Sequence, residues 1–176
     1  LGYGGDIVPT ADSFLFWYDL AGFYSKVVRD FADSARPNGG LTETAPFVGI
    51  ADRGLGEGTG PIGWTTAHPF LLAKLYQYYG DKRLIEEQFE VARRNVEWIR
   101  SKTPDFITEA CIGDHESLDP NPQPLVATAL YYEQVRLVAR FARLLKRLPE
   151  AEEYDRLAEN IKSAFIAKFV EPSTGK

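Results

Sequence analysis

Apolar residues that recur at every third or fourth position constrain this chain more than any other feature of its sequence. Early in the chain Phe14, Trp17, Tyr24, Val28 and Phe31 follow this spacing, which places them on one stripe of a helix. Almost no stretch alternates polar and apolar residues in the way that a half-buried strand does. The pattern therefore predicts an all-α protein, with long helices over residues 12–35, 64–79, 82–102, 125–148 and 150–170.

The predicted helix ends carry their own signals. Asp12 or Ser13 is a suitable N-cap for the first helix, which the segment Arg36-Pro37-Asn38-Gly39-Gly40 ends. Gly80 suits the left-handed position after a helix, and Pro149 is tolerated in the first turn of the next one. These short connections alternate with two long segments rich in glycine and proline, residues 41–63 and 103–124.

The alternation of long and short connections bears on the architecture. Successive helical hairpins can form a bundle, a solenoid of repeats or a toroid of two concentric helical layers. A solenoid repeats short turns at a fixed period, whereas here the long connections are expected to gather at one end of the helices. Loops on a rigid helical frame usually carry function, so we expect the functional site at that end.

Composition excludes several classes of partner. The chain has 20 basic and 25 acidic residues, for a net charge of −5, which makes nucleic acid an unfavourable partner. The single cysteine, Cys111, excludes an internal disulfide, and no apolar run reaches the roughly 18 residues of a membrane span. His115 has only His68 as a second histidine, so we predict neither a metal nor a cofactor. The compartment, cytoplasmic or secreted, stays open.

Aromatic and acidic residues in the predicted loops suggest a carbohydrate site. Gly2, Gly4 and Gly5 surround Tyr3 and precede Asp6, and they let the backbone take a positive φ and come close to a neighbour, so a tight loop could present both side chains. An ordinary glycine-rich turn before a helix is the alternative interpretation.

Trp64 and the cluster Asp114-His115-Glu116 would join these residues if the loops converge. Sugar rings stack on aromatic side chains, their hydroxyls bind carboxylates, and glycoside cleavage needs two carboxyl groups. The alternative is that the cluster is a solvated acidic loop. Trp17 and Trp98 lie on helical stripes and are predicted in the core.

Several short motifs, taken in order, resemble the catalytic domain of the bacterial α-L-rhamnosidases, glycoside hydrolase family 78. The resemblance runs along nearly the whole chain, and its order and spacing are more specific than any single motif. The motifs are Leu1-Gly2-Tyr3-Gly4-Gly5-Asp6, Asn38-Gly39-Gly40 with Ala45-Pro46, Gly63-Trp64, Tyr79-Gly80-Asp81 and Gly113-Asp114.

The resemblance implies a fold and an activity. The family folds as an (α/α)6 toroid and releases terminal α-L-rhamnose with inversion. Its general acid precedes the glycine motif, which places it before Leu1, and its general base lies beyond Lys176. Residues 1–176 would then be part of the (α/α)6 domain, truncated at both ends and without either principal catalytic carboxylate.

The resemblance also assigns residues. Asp6 matches an aspartate that binds rhamnose hydroxyls, Tyr3 stands where many members have tryptophan, and Trp64 matches an aromatic residue of the sugar pocket. We predict Asp6 and Glu116 as the carboxylates of this chain that take part in catalysis. The predicted substrate-binding residues are Tyr3, Asp6, Trp64, Asp114 and His115.

Two departures from the family pattern qualify this assignment. Thr65-Thr66 replaces the common Gly-Asp after Trp64, and His115-Glu116 follows Asp114 where members have tryptophan. Three alternatives therefore stay open: another toroid glycosidase, a polysaccharide lyase, and a non-catalytic helical-repeat module that binds its partner along a groove.

Overall fold

The computed structural model describes residues 2–51, 53–113, 118, 122–171 and 173, and these residues form an almost wholly helical protein. The all-α prediction is confirmed. A two-stranded sheet pairs β1 (Gly2–Tyr3) with β2 (Thr44–Ala45) in antiparallel register, Gly2 opposite Ala45. The helices are α1 (Gly4–Trp17), α2 (Ala21–Ser34), α3 (Ile62–Thr65), α4 (Ala67–Tyr79), α5 (Lys82–Lys102), α6 (Gln123–Leu144) and α7 (Leu148–Phe169).

The single helix predicted over residues 12–35 is wrong, because the chain breaks into α1 and α2. Tyr18 is extended, with φ −133° and ψ 147°, and the Asp19 carboxylate accepts a hydrogen bond from the Ala21 amide at 3.2 Å. The apolar spacing continues across the break, so periodicity alone did not reveal it. Asp12 therefore does not cap a helix but lies within α1, where it pairs with Lys74 at 2.7 Å.

The break also moves Trp17 out of the core. Its side chain is 75% exposed at the end of α1, and Phe16 and Tyr18 beside it are exposed as well. Helix α1 packs instead through Ala11 and Leu15, which lie on a different stripe. Trp98, also predicted in the core, is only half-buried.

The predicted turn between α4 and α5 is confirmed, whereas the single helix predicted over residues 64–79 is wrong, because this stretch divides into α3 and α4. Gly80 ends α4 in the left-handed conformation at φ 68°, a position that costs other residues backbone strain. Asp81 caps α5 by accepting a hydrogen bond from the Leu84 amide at 3.2 Å. The hairpin between α6 and α7 turns at Leu145–Arg147, earlier than predicted, and Pro149 lies in the first turn of α7.

The long connections meet at one end of the helices, which we call the loop end. It consists of β1, the 35–61 connection and residues 103–113. The Gly4 amide donates to the Glu43 carbonyl at 3.1 Å, and the Ile62 amide donates to the Ala110 carbonyl at 2.8 Å. Helices α1, α4 and α6 begin there, and α2, α5 and α7 end there.

Helix α4 lies at the centre of this arrangement. It packs against α1, α2, α5 and α6, and its buried residues are spread around its circumference. Helices α2 and α5, by contrast, are strongly amphipathic and keep one polar face in solvent. The result is two layers of helices, as a toroid requires.

A buried histidine joins α4 to α5. His68 is fully buried, and its Nε2 lies 3.2 Å from Gln88 Oε1, so Nε2 carries the proton that it donates. Gln88 Nε2 donates in turn to Glu87 Oε1, and Glu87 forms a two-pronged ion pair with Arg29 of α2. Burial lowers the pKa of His68 to about 4, because a charged imidazolium would lose its hydration.

His68 is expected to make the protein less stable as the pH falls. Between pH 6.5 and about 4 the unfolded chain binds a proton at this residue and the native state does not, so the free energy of unfolding falls as the pH is lowered. The loss amounts to about 3 kcal/mol across the window. Urea unfolding at pH 7 and pH 4.5 should show a larger loss of stability in the native sequence than in His68→Gln, because glutamine at this position does not titrate. Equal pH dependence in the two proteins would contradict a neutral buried His68.

Candidate functional site

Three of the predicted site residues lie together at the loop end. Tyr3 is in β1, Asp6 is in the first turn of α1, and Trp64 is in α3. The other three, Asp114, His115 and Glu116, lie outside the described residues, so their assignments stay predictions.

The glycines beside Tyr3 fill one of their two predicted roles, the close approach to a neighbour. None of Gly2, Gly4 and Gly5 adopts a positive φ, and Gly4 and Gly5 begin a helix, so the predicted tight loop with positive φ was wrong. What these positions need is the absence of a side chain. A Cβ at Gly4 would lie 2.0 Å from the Trp64 carbonyl oxygen, and a Cβ at Gly5 would lie 2.5 Å from Cε2 of the Trp64 indole. The backbone of α1 thus rests directly on Trp64.

Tyr3 and Asp6 flank this contact and border a groove of about 670 Å³ between α1 and α2. The walls of the groove are mostly apolar, with Tyr18 and Phe23 at its other end and Lys26 along one side. Trp64 is not among the residues that line it. The structure therefore gathers Tyr3, Asp6 and Trp64 around one helix turn, but does not place all three on one cavity wall.

Asp6 occupies a position that favours negative charge. It lies in the first turn of α1, where the backbone amides point out of the helix. Its side chain is exposed, and its own carbonyl accepts a hydrogen bond from the Thr10 hydroxyl at 2.7 Å. An anionic side chain in this place can accept hydrogen bonds from the hydroxyls of a polar ligand.

Behind Trp64 lies a buried polar network that sequence reasoning missed. Gln134 of α6 and Asn95 of α5 are both buried, and Asn95 Nδ2 donates to Gln134 Oε1 at 2.7 Å. Gln134 Nε2 donates to the Thr66 hydroxyl at 2.9 Å and to the Ile62 carbonyl at 3.2 Å. The sequence did contain a signal for this network, because Asn95 and Gln134 each stand among apolar residues on the buried stripe of their helix.

The polar residues of the 41–63 loop divide into two groups: Thr42, Thr44 and Thr59 are buried, whereas Arg53 and Glu57 lie in solvent. Glu57 is exposed and accepts hydrogen bonds from Asn38 at 3.0 Å and Lys102 at 3.2 Å, which lower its pKa. It ties the loop to the end of α5. Arg53 is exposed, and Asp52 lies outside the described residues.

Metal and thiol chemistry find no support in the part of the chain that the structure describes. No three histidine, cysteine, aspartate or glutamate side chains come close enough there to hold a metal ion. Cys111 is buried, and burial raises the pKa of its thiol, so it is a poor nucleophile. Within the same residues no helix is long and apolar enough to span a membrane.

The family of the chain follows from a comparison with protein-family profiles. The profile described as the bacterial alpha-L-rhamnosidase 6 hairpin glycosidase domain matches residues 1–176. The chain belongs to this family of six-hairpin glycosidase domains. The resemblance drawn from the sequence motifs is thereby confirmed.

Characterised members of the family give the same result. An alpha-L-rhamnosidase of Streptomyces avermitilis is 29% identical over the whole of this chain, and one of Formosa agariphila is 24% identical over 96% of it. The chain spans only 16% and 19% of the length of these two relatives.

Solved rhamnosidase structures share the fold. The structure of alpha-L-rhamnosidase from Dictyoglumus thermophilum matches 98% of this chain with a TM-score of 0.88 at 32% identity, and the chain covers 19% of it. The Streptomyces avermitilis alpha-L-rhamnosidase complexed with L-rhamnose matches 98% with a TM-score of 0.83 at 27% identity, and the chain covers 16% of it. The all-α toroid-type architecture is thus that of the rhamnosidase family.

Gly5 offers a direct test of the contact between α1 and Trp64. Gly5→Ala is expected to destabilise the protein by about 1–3 kcal/mol, because the added methyl group must displace the indole. Gly22→Ala is the matched control, since a Cβ there meets nothing within 4 Å and alanine favours helix by about 0.5–1 kcal/mol. Urea unfolding of both variants measures the difference. Equal stability of the two would show that α1 does not rest on Trp64.

Proposed function

We propose that the natural polypeptide that carries this chain hydrolyses terminal α-L-rhamnosides, and that the loop end forms part of its sugar pocket. The observation that carries the proposal is the seating of Trp64 against Gly4 and Gly5, between Tyr3 and Asp6, in a domain of the rhamnosidase family. One relative of the same fold is a rhamnosidase complexed with L-rhamnose, which supports this sugar as the ligand.

In the proposed pocket, aromatic side chains stack on the sugar ring and acidic side chains bind its hydroxyls. Tyr3 and Trp64 offer apolar ring faces for the C–H face of a deoxyhexose, and Asp6 accepts hydrogen bonds from its hydroxyls. Hydrogen bonds from neutral hydroxyls to a carboxylate are charge-assisted and stronger than those between neutral groups. Asp114 and His115 are proposed to complete the binding surface from the segment before α6.

The cleavage step requires two carboxyl groups on opposite sides of the glycosidic bond. An inverting enzyme holds them about 6.5–9.5 Å apart, so that one protonates the leaving oxygen while the other activates a water molecule. We propose that the principal acid and base come from parts of the polypeptide outside residues 1–176. Glu116 and Asp6 are the carboxylates of this chain proposed to assist them.

Residues 1–176 are proposed to be one portion of an (α/α)6 domain. Among the described residues α4 with α5 and α6 with α7 form hairpins, and α1 is followed by α2 across a short break, whereas the family description names six hairpins. The outermost helices leave apolar surface open: Phe16, Trp17 and Phe23 are exposed on α1 and α2, and Tyr132 and Phe165 line an apolar hollow on α6 and α7. Exposed apolar surface of this kind suits the packing of further helices.

Release of L-rhamnose from an aryl α-L-rhamnoside by the natural polypeptide tests the proposal. Asp6→Ala is expected to lower kcat/KM by about 10- to 100-fold, the loss that follows from removing hydrogen bonds to a charged group. Asp12→Ala, about two turns further along α1, removes a partly exposed ion pair with Lys74 and a hydrogen bond from Tyr78, and should stay within about twofold. NMR identifies which anomer of L-rhamnose is released first. Release of the β-anomer from the α-linked substrate would show that hydrolysis proceeds with inversion.

Other products would decide against the proposal. Unsaturated sugar products would identify a lyase, and release of a different sugar would identify another toroid glycosidase. Saturable binding of oligosaccharides without cleavage would favour the non-catalytic module. Equal activity of Asp6→Ala and the control would remove Asp6 from the pocket.

A further inference from the structure

The turn that contains Trp64 is held from behind by an unusual convergence of hydrogen bonds. The hydroxyls of Thr65 and Thr66 both turn back to the Ile62 carbonyl, at 3.1 Å and 2.7 Å. The Gln134 side-chain amide approaches all three groups: its Nε2 lies 2.9 Å from the Thr66 hydroxyl, 3.2 Å from the Ile62 carbonyl and 3.4 Å from the Thr65 hydroxyl. One side chain of α6 therefore contacts the Ile62 carbonyl and both threonine hydroxyls.

The orientation of Gln134 is itself fixed. Its Oε1 accepts a hydrogen bond from Asn95 Nδ2 at 2.7 Å, and Asn95 Oδ1 accepts one from the Leu41 amide at 2.9 Å. The amide of Gln134 therefore cannot be flipped without placing its NH₂ against the Asn95 NH₂. A chain of hydrogen bonds thus runs from the segment after α2, through α5 and α6, to α3.

Because the network is buried, its hydrogen bonds tolerate little change in geometry. Gln134 is fully buried, and Asn95, Thr65 and Thr66 are nearly so. A polar group left unpaired in such a place is costly, so the network favours one arrangement of its members over all others. An apolar core of the same volume would pack the helices without specifying the position of α3 to this degree.

Trp64 lies between this network and the backbone of α1. On one side Gly4 and Gly5 press on its carbonyl and its ring, and on the other side the two residues that follow it bind Gln134. We propose that Gln134 is a positioning residue for Trp64, which sets the distance and tilt of the indole that the sugar contacts. The sugar-binding part of this inference rests on the proposed function, whereas the hold on α3 does not.

The network also gives a structural role to Thr65 and Thr66, the two residues that follow Trp64. Here both threonine hydroxyls face the buried network and not the groove between α1 and α2. In this chain these two positions therefore support Trp64 from within.

The experiment compares Gln134→Met with Tyr154→Phe in the natural polypeptide. Methionine keeps the size of Gln134 and removes all of its hydrogen bonds. Tyr154→Phe is the matched control, because it removes a hydrogen bond to Glu97 that joins α7 to α5, away from α3. Urea unfolding measures the stability lost by each variant.

Kinetics and hydrogen exchange then separate positioning from stability. For an aryl α-L-rhamnoside, Gln134→Met is expected to raise KM about 10-fold with kcat within about threefold, since a stacking surface binds the ground state as well as the transition state. Tyr154→Phe should leave both constants within about twofold. Amide hydrogen exchange of the peptide spanning residues 61–70 should be at least about 10-fold faster in Gln134→Met and unchanged in Tyr154→Phe.

A milder pair covers the case in which Gln134→Met does not fold. Thr66→Val removes the hydroxyl at nearly constant shape and should raise KM about threefold, and Thr66→Ser, which keeps the hydroxyl, should restore most of that loss. The inference is overturned if Gln134→Met and Tyr154→Phe change KM equally, or if exchange over residues 61–70 is the same in both. If the unmodified polypeptide releases no rhamnose, the proposed function fails, and the exchange comparison still decides whether Gln134 holds α3.

Discussion

The direct contact between the first turn of α1 and Trp64 is the constraint on which the loop end depends. Two consecutive residues without a Cβ atom allow the α1 backbone to approach the Trp64 carbonyl and ring at distances that any other residue would forbid. Because β1 immediately precedes these glycines and pairs with β2, the same contact locates the 35–61 connection. A short glycine motif thus aligns three parts of the chain that lie far apart in sequence.

The second constraint comes from polar groups in the core. His68 with Gln88 joins α4 to α5, and Asn95 with Gln134 joins α5 to α6. Both pairs are buried and specify how neighbouring helices are aligned along their axes, which apolar packing leaves less defined. The second pair also contacts α3 through Gln134, so it supports the region proposed to bind the sugar.

Much of this fold could be predicted from the sequence because its determinants are local. Gly80 with Asp81 indicated the turn between α4 and α5, and Pro149 indicated that a helix begins near it. The break between α1 and α2 could not be predicted in this way, since the apolar spacing runs through Tyr18 without interruption. The burial of Ala11 in place of Trp17 likewise depends on which neighbours α1 meets, and that is a tertiary property.

The same distinction applies to the candidate site. Tyr3, Asp6 and Trp64 could be named from composition and motif, because aromatic and acidic residues in loops are the chemistry of sugar binding. Close approach and a left-handed backbone were both predicted for the glycines between them, but the sequence could not decide which applies, because the two favour the same residue type. Gln134 was missed because a buried amide has a functional meaning only when its partners are known.

A crystal structure of the natural polypeptide with bound L-rhamnose tests the central claim most directly. The account predicts a sugar ring in van der Waals contact with the Trp64 indole, about 4 Å away, with a hydroxyl about 2.7 Å from the Asp6 carboxylate and with Gly5 against the other side of the indole. A rhamnose bound in a productive pocket elsewhere, or an indole separated from Gly5, would contradict it.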